Sequence, residues 1–269
     1  MNPWNGTSGC AWVDLQETLD GMFAPFEDLL VEAVTAHAAS HVLDVGCGTG
    51  STTIAAARML GAAGRAVGID ISEPMISVAR ERAVRAGAAA SFACADAQDH
   101  AFSPASFDFI ISRFGVMFFD DPPRAFANLR RACSDGAGLF CIAWRSPGEN
   151  PFMTAAERAV GSMLPGLPAR EPNVPGQFGF ADETRVRRIL EEGGWRDIGI
   201  RPLDAECKLP HRELERYMTR LGPVGSRMAD LDEPVRARIV GKMRAAFDAY
   251  VHGTEVRYTA ACWVITARA

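Results

Sequence analysis

From residue 41 to about 144 the chain alternates short, nearly unbroken apolar runs with segments whose apolar positions recur every three or four residues. The runs are "HVLDVG", "RAVGIDI", "AASFACAD", "FDFIISRF" and "AGLFCIAW", and between them stand "STTIAAARML", "EPMISVARERAVRAG" and "PRAFANLRRAC". Strands that read apolar throughout, rather than alternating, are those covered on both faces, and βαβα order supplies the covering helices. Local signals agree. Ser72 is placed to cap a helix with Glu73 and Pro74 in its first turn, Gly87 follows its last periodic residue, and Phe126, Leu129 and Cys133 form an i, i+3, i+7 stripe.

After Trp144 the pattern changes. "RSPGENPFMTAAERAVGSMLPGLPAREPNVPGQFGFAD" is rich in proline and glycine, with one short helical piece at about 151–163, and reads as an inserted cap. A helix at about 183–192, stopped by Gly193 and Gly194, leads to the strand "WRDIGIRPLDAECKL". The last strand, "EVRYTAACWVITARA", alternates at Val256, Tyr258, Ala260, Cys262 and Val264. Residues 211–252 read as two helices, and one helix is predicted around 11–36. The expected organisation is a single domain over 1–269. It comprises an N-terminal helical cap segment (1–40), a βα core (41–146), cap insertions at 147–182 and 211–252, and a final helix and strand pair in 183–210 and 253–269.

Composition narrows the function classes. The net charge of −5 is modest and the arginines are scattered among acidic residues, so no basic block favours nucleic acid as a partner, and a small-molecule acceptor is expected instead. The beginning "MNPWNGTSGCAWVDLQ" lacks a basic start followed by an apolar core, and no run reaches the roughly eighteen apolar residues of a membrane span. A cytoplasmic location is the expectation. The seven cysteines are odd in number and include no C-x-x-C pair, which fits reduced, buried thiols better than disulfides or a zinc cluster. No His/Asp/Glu grouping has metal-ligand spacing, and no metal is expected.

The chemistry concentrates in "LDVGCGTG". Gly46, Gly48 and Gly50 follow the first strand, and glycines there allow a tight turn and close ligand approach at a helix N-terminus. Alone, such glycines serve packing equally well. Three acids add information: Asp44 lies inside the first strand, Asp70 ends the second in "GIDIS", and Asp96 ends the third in "CADAQD". A carboxylate at the end of strand two can accept both hydroxyls of a ribose diol, and an exocyclic amine likewise needs an acceptor. Capping or a solvated strand end explains one such aspartate but not the ordered set. A dinucleotide-dependent oxidoreductase also carries an acid about twenty residues after its glycines. Here, however, Ser51 occupies the helix-packing position of that fingerprint, and Asp44 is an awkward charge beside a pyrophosphate.

Through residues 41–144 the sequence resembles the class I S-adenosylmethionine-dependent methyltransferases, in particular the branch of the ubiquinone/menaquinone-biosynthesis C-methyltransferases. "LDVGCGTG", "GIDIS", "ADAQD" and "FDFIISRFGVMFF" match that family's first to fourth motifs. The resemblance implies a Rossmann-like, doubly wound α/β fold with seven strands, mostly parallel with the last antiparallel, and helical cap insertions. It implies S-adenosyl-L-methionine as cofactor, with Gly46, Gly48 and Gly50 beside its methionyl and ribose part. Asp70 would take the ribose hydroxyls, Ile71 and Met75 would flank adenine, and Asp96, with Ala97 nearby, would take the adenine amino group. A sulfonium and an ammonium without phosphate also suit an acid-rich site, Asp44 included. A member of the fold that binds S-adenosylmethionine without transferring its methyl group is the alternative.

Methyl transfer is an in-line displacement that positioning alone can accelerate strongly. The loop "SRFGVMFFDD" leaves strand four at the cofactor end, so Arg113, Phe114 and Met117 are candidates for the acceptor pocket. Arg113 is the candidate for positioning an anionic acceptor and for contacting the cofactor, while an ion pair with a neighbouring carboxylate explains it equally well. None of the five histidines (37, 41, 100, 211, 252) sits in a motif that makes it a base. In the N-terminal segment Trp12 is chosen to close over the cofactor and Phe23 to face the acceptor, although aromatics at helical spacing also build ordinary cores. Phe152, Met153, Phe178, Phe180, Met218 and Met228 furnish the insertions with apolar lining for a small, largely apolar acceptor.

Overall fold

The computed structural model describes residues 3–167, 170–171 and 173–269; positions 1 and 2 of the expected N-terminal segment and 168, 169 and 172 of the first insertion lie outside them. The strands are β1 (His41–Val45), β2 (Arg65–Asp70), β3 (Ala90–Cys94), β4 (Phe107–Arg113), β5 (Cys133–Trp144), β6 (Arg196–Pro210), β7 (Val251–His252) and β8 (Glu255–Arg268). The core helices are α4 (Ser51–Leu60), α5 (Glu73–Ala86), α6 (Pro122–Ala132) and α8 (Glu183–Glu192). Before the sheet come α1 (Thr7–Asp14), α2 (Gln16–Met22) and α3 (Ala24–Ala36), and the cap is built from α7 (Ala155–Val160), α9 (Leu214–Arg220), α10 (Gly222–Gly225) and α11 (Glu233–Phe247).

The sheet runs β3-β2-β1-β4-β5-β8-β6, with β7 paired to β8. β1 to β5 are mutually parallel, and β8 runs antiparallel to both β5 and β6. This is the architecture the sequence predicts: an α/β sheet, mostly parallel, closed by an antiparallel C-terminal strand. The chain moves outward from β1 to β3 and then returns to β4 on the other side of β1, so the strand order reverses between the neighbouring β1 and β4. Such a reversal is where open α/β sheets bind ligands. Asp44 lies opposite Ile111, which puts Arg113 level with the first residue of the glycine loop.

Strand β1 is buried from Val42 to Val45, as its unbroken apolar run requires, and α8 occupies the expected 183–192 with Asp182 accepting from the amides of Thr184 and Arg185 at 2.9 and 3.2 Å. Two local expectations are corrected. The single helix around 11–36 is three helices, broken at Leu15 and Phe23, both of which are buried. Ser72 occupies the N-cap position of α5, but its hydroxyl makes no cap bond; it donates instead to the carbonyl of Trp4 at 2.6 Å. The two helices read in 211–252 are α9 and α11, with the one-turn α10 between them.

Beyond Trp144, which pairs with Cys262, β6 and β8 continue together as a two-stranded ribbon to the Pro210–Glu255 pair. That ribbon rises above the C-terminal edge of the parallel strands and carries the second insertion. The first insertion is pinned at its start by buried Asn150, whose side chain accepts from the amide of Ala261 and donates to its carbonyl, each at 2.9 Å.

Candidate functional site

The three glycines of the loop after β1 do different work. A methyl group on Gly46 would stand 2.5 Å from the Cα of Gly115, so here the β1 and β4 loops touch backbone to backbone. On Gly50 it would meet Ala79 and the Phe92 ring at 2.9 Å. On Gly48 the nearest atom within 4 Å is the sulfur of Met75, at 3.7 Å. Gly46 and Gly50 therefore serve close packing, and Gly48 is where the loop faces open space. Its amide donates to Asp70 Oδ2 at 2.9 Å, while Asp70 Oδ1 accepts from the amide of Ser72 at 2.9 Å. Burial raises the Asp70 carboxyl above its ordinary value despite these bonds. Gly48, Asp70 and buried Met75 are thus together, with half-buried Ile71 beside them in sequence.

Asp96 follows β3 at the same edge, where its carboxylate accepts from the amide of Gln98 at 2.9 Å. Next to it the carbonyl of buried Ala97 is taken by Asn128. Asp44 is almost wholly buried. Its Oδ2 accepts from the hydroxyls of Thr52 and Thr53, the latter at 2.7 Å, and its Oδ1 has no partner. Burial pushes its pKa up from 3.8 to about 6 against the opposing pull of those hydroxyls and of Arg113.

Arg113 ends β4 with its side chain 13% exposed. It donates to Ser51 Oγ at 2.8 Å, lies over the Phe23 ring at 5.8 Å, and stands 4.0 Å from Asp20 and 4.0 Å from Glu27. Its Nη1 is buried without a hydrogen-bond partner, the Glu27 approach being too long for one. Among the described residues three buried side-chain atoms lack partners, and two of them are Asp44 Oδ1 and Arg113 Nη1. Both residues are anchored on Ser51–Thr53 at the start of α4. An orphaned anion and an orphaned cation on one helix terminus match the ammonium and carboxylate of an amino acid, so the residues present fit the methionyl end of S-adenosylmethionine.

The N-terminal helices lie across this edge. Asp20 accepts from Arg82 at 2.6 Å, and Arg82 also donates to the carbonyl and hydroxyl of Thr49, within the glycine loop, at 2.8 and 3.1 Å. Gln16 donates to the same aspartate at 2.5 Å. On the β2–α5 turn, Asn5 accepts from the amide of Glu73 at 2.8 Å beside the Ser72–Trp4 bond. On the opposite side Asp14 pairs with Arg220, and Thr18 donates to Glu213 at 3.4 Å. Trp12, half-buried, stacks on Phe23 at 6.5 Å; the direct contacts on the β2–α5 turn come from Trp4 and Asn5.

Phe23, Phe26, Phe114 and Trp144 form one aromatic cluster above Arg113, with Phe114 stacked on Trp144 at 4.5 Å and 12°. Phe114 adopts a left-handed φ of 65°, a conformation a bulky residue holds only when its surroundings impose it. Met117 sits behind the cluster, its sulfur accepting from the amide of Trp144 at 3.4 Å. Asp20, Glu27, Arg82, Asn5, Ser51 and Trp144 carry no motif in the sequence. His37 stacks on Phe109, His41 lies 3.9 Å from Asp108, and His211 and His252 lie around the ribbon tip. Among the described residues, no group of three or more His, Cys, Asp or Glu could hold a metal ion, and no helix is long and apolar enough to cross a membrane.

Residues 42–136 match the methyltransferase domain family. The chain is 36% identical over 205 residues to nocamycin O-methyltransferase of Saccharothrix syringae, covering 71% of each. It is 27% identical over 192 residues to demethylmenaquinone methyltransferase of Renibacterium salmoninarum, covering 68% of this chain and 78% of that one. In fold it is similar to the YcgJ protein of Bacillus subtilis, with a TM-score of 0.57, 15% identity, and 90% of this chain and 97% of that one covered. The chain belongs to the S-adenosylmethionine-dependent methyltransferases, and its cofactor is S-adenosylmethionine. The dinucleotide-dependent oxidoreductase weighed against it for the same glycine loop is set aside.

Proposed function

We propose that the protein methylates a small, largely apolar organic molecule held between the N-terminal helices and the two cap insertions. The observation that carries this reading is the aromatic cluster of Phe23, Phe26, Phe114 and Trp144: it adjoins Arg113 and the glycine loop and is roofed by chain from both ends of the sequence. A ligand site is usually apolar with a few directing polar groups, and the links from α1 and α2 to α9 and the turn before it, Asp14–Arg220 and Thr18–Glu213, support a site closed to bulky polymers. Relatives named for nocamycin and demethylmenaquinone support the same class of acceptor.

S-adenosylmethionine supplies a methyl group made electrophilic by its sulfonium. Asp44 and Arg113 hold its ammonium and carboxylate through their free atoms, and Gly48 admits it against the loop backbone. Asp70 takes the ribose hydroxyls, exchanging amide donors for them. Ile71 and Met75 flank adenine, with Asp96 and Ala97 at its amino edge. Arg113 is engaged by Ser51, Asp20 and Glu27, so its role falls on the cofactor side, while Phe23, Phe114 and Met117 shape the acceptor side. The aromatic walls exclude water and orient the acceptor, and positioning of this kind supplies much of the acceleration in a displacement reaction.

The test is a screen with labelled methyl donor of phenolic, quinone-like and amine acceptors against bulk tRNA and protein. Transfer to small acceptors is the expected result; efficient transfer to a macromolecule with none to the small molecules refutes the reading.

A further inference from the structure

Two carboxylates stand 4.0 Å from Arg113, and they stand on different nitrogens: Asp20 Oδ1 by Nη2, and Glu27 Oε2 by Nη1. Nη2 is also the nitrogen that donates to Ser51 Oγ at 2.8 Å. Asp20, in α2, accepts from Arg82 at 2.6 Å and from Gln16 at 2.5 Å, and Arg82 is itself fastened to the carbonyl and hydroxyl of Thr49 in the glycine loop. Asp20 is therefore a strut tied at both ends. Glu27, in α3, has no such tie: among the described residues its carboxylate accepts no hydrogen bond, and its approach to Arg113 is too long to be one.

Arg113 Nη1 is buried and makes no hydrogen bond. A ligand carboxylate can take that nitrogen only when a group covering it withdraws. Phe23, whose ring lies 5.8 Å from the guanidinium carbon, is buried and packed against Phe26, Phe114 and Trp144. Glu27 follows it by one helical turn, its amide donating to the Phe23 carbonyl at 3.3 Å, with 29% of its side chain exposed. A glutamate that already reaches solvent can swing outward, whereas the ring is locked by its own packing.

We infer that Glu27 is an internal stand-in for the cofactor's carboxylate: in the ligand-free protein it screens Arg113 Nη1, and S-adenosylmethionine or its demethylated product displaces it to pair with that nitrogen. This rests on the reading above that Arg113 holds the cofactor carboxylate. Two anions crowded on one nitrogen repel each other, so Glu27 and the ligand compete for it. The competition acts on the amino-acid end of the ligand alone and favours escape of the spent product.

The experiment uses the full chain and two ligands, S-adenosylhomocysteine and methylthioadenosine, which share adenine, ribose and sulfur and differ in the amino-acid end. An ion pair with a partly exposed member is worth a few-fold, so in Glu27→Gln the dissociation constant of S-adenosylhomocysteine is expected to fall about 1.5- to 5-fold, chiefly through slower release. That of methylthioadenosine should not change. Glu27→Ala should tighten S-adenosylhomocysteine likewise, which separates loss of the anion from a new hydrogen bond made by the glutamine amide, and Asp20→Asn should move the same constant the other way. An unchanged or raised constant for S-adenosylhomocysteine in Glu27→Gln, an equal change for both ligands, or tightening in Glu27→Gln without tightening in Glu27→Ala overturns the inference. Arg113→Gln tells the two readings apart. If it weakens S-adenosylhomocysteine and leaves methylthioadenosine alone, the assignment of Arg113 to the cofactor carboxylate stands whatever Glu27 does; if it changes neither, that assignment and this inference fall together.

Discussion

Replacing Asp44 by asparagine keeps an oxygen for the Thr52 and Thr53 hydroxyls and removes a charge that the ligand-free fold holds at a loss. The carboxyl's pKa rises from 3.8 to about 6 because it is buried with one oxygen unpaired. About two units at 1.36 kcal/mol each make ionised Asp44 about 3 kcal/mol less favourable in the folded than in the unfolded chain. Between pH 4 and 6 the folded state binds the extra proton, so this stability is present at low pH and lost as pH rises through about 6. At pH 7.5 without ligand, Asp44→Asn should therefore raise Tm by about 5 °C, and the difference should shrink toward pH 4. Binding reverses the sign, because the cofactor's ammonium pairs with the ionised form. Affinity of the wild-type protein for S-adenosylhomocysteine should increase as pH rises from 5 to 6 and level off above, whereas the variant should bind more weakly with no such step. Calorimetric titration and thermal melts over pH 5–8 measure both. A variant that melts lower without ligand, or that keeps wild-type affinity at pH 7.5, refutes the assignment.

Asp70→Ala should weaken S-adenosylhomocysteine binding by about 1.5–3 kcal/mol, the range for hydrogen bonds to a charged group, with folding retained; an unchanged dissociation constant in calorimetry removes Asp70 from the ribose. Asp20→Asn and Arg82→Gln should each speed dissociation of that ligand about 2- to 10-fold in stopped-flow displacement, with a double variant no faster than the worse single and a wild-type rate that rises with salt; additive effects would mean that the two do not act as a pair. Gly46→Ala should lower Tm by several degrees and abolish cofactor binding, since the added methyl stands 2.5 Å from Gly115 and φ is +68°; wild-type melting would contradict the backbone contact.

The parts of this fold that were legible in the sequence are those where one short stretch contains its own cause. Unbroken apolar strands, a proline at the start of α5 and two glycines at the end of α8 act within a few residues, and these helices and the β1–β5 core follow from them. Ser72 misleads because a cap needs its hydroxyl oxygen to accept from an amide of the first turn, whereas here the hydroxyl turns away to donate to the carbonyl of Trp4, which is remote in sequence. The break at Phe23 has a local cue in Pro25, in the first turn of α3, whereas the break at Leu15 has none and goes with that residue's burial. Asp44, Asp70 and Asp96 stand in recognisable order, but the counter-ions of Arg113 come from two helices that carry no motif, Asp20 from α2 and Glu27 from α3. Asp20 looks there like any solvated acid, and its value lies in Arg82 and Arg113 arriving from two other elements.

The ribbon has a consequence for how such an enzyme changes over evolutionary time. The second insertion leaves β6 at Pro210 and re-enters β8 at Glu255, residues that are direct partners in the ladder, and the amide of His211 donates to the carbonyl of Thr254 at 2.8 Å. Its two ends are therefore already joined by the sheet. A segment of different length or content can hang from the same two points at a small increment of loop-closure entropy, without shifting the register of β5 against β8 beside the glycine loop. Acceptor preference can drift by exchange of this cassette while the cofactor's half of the molecule stands still, and a chimaera that takes 211–254 from a relative inherits a matched pair of ends.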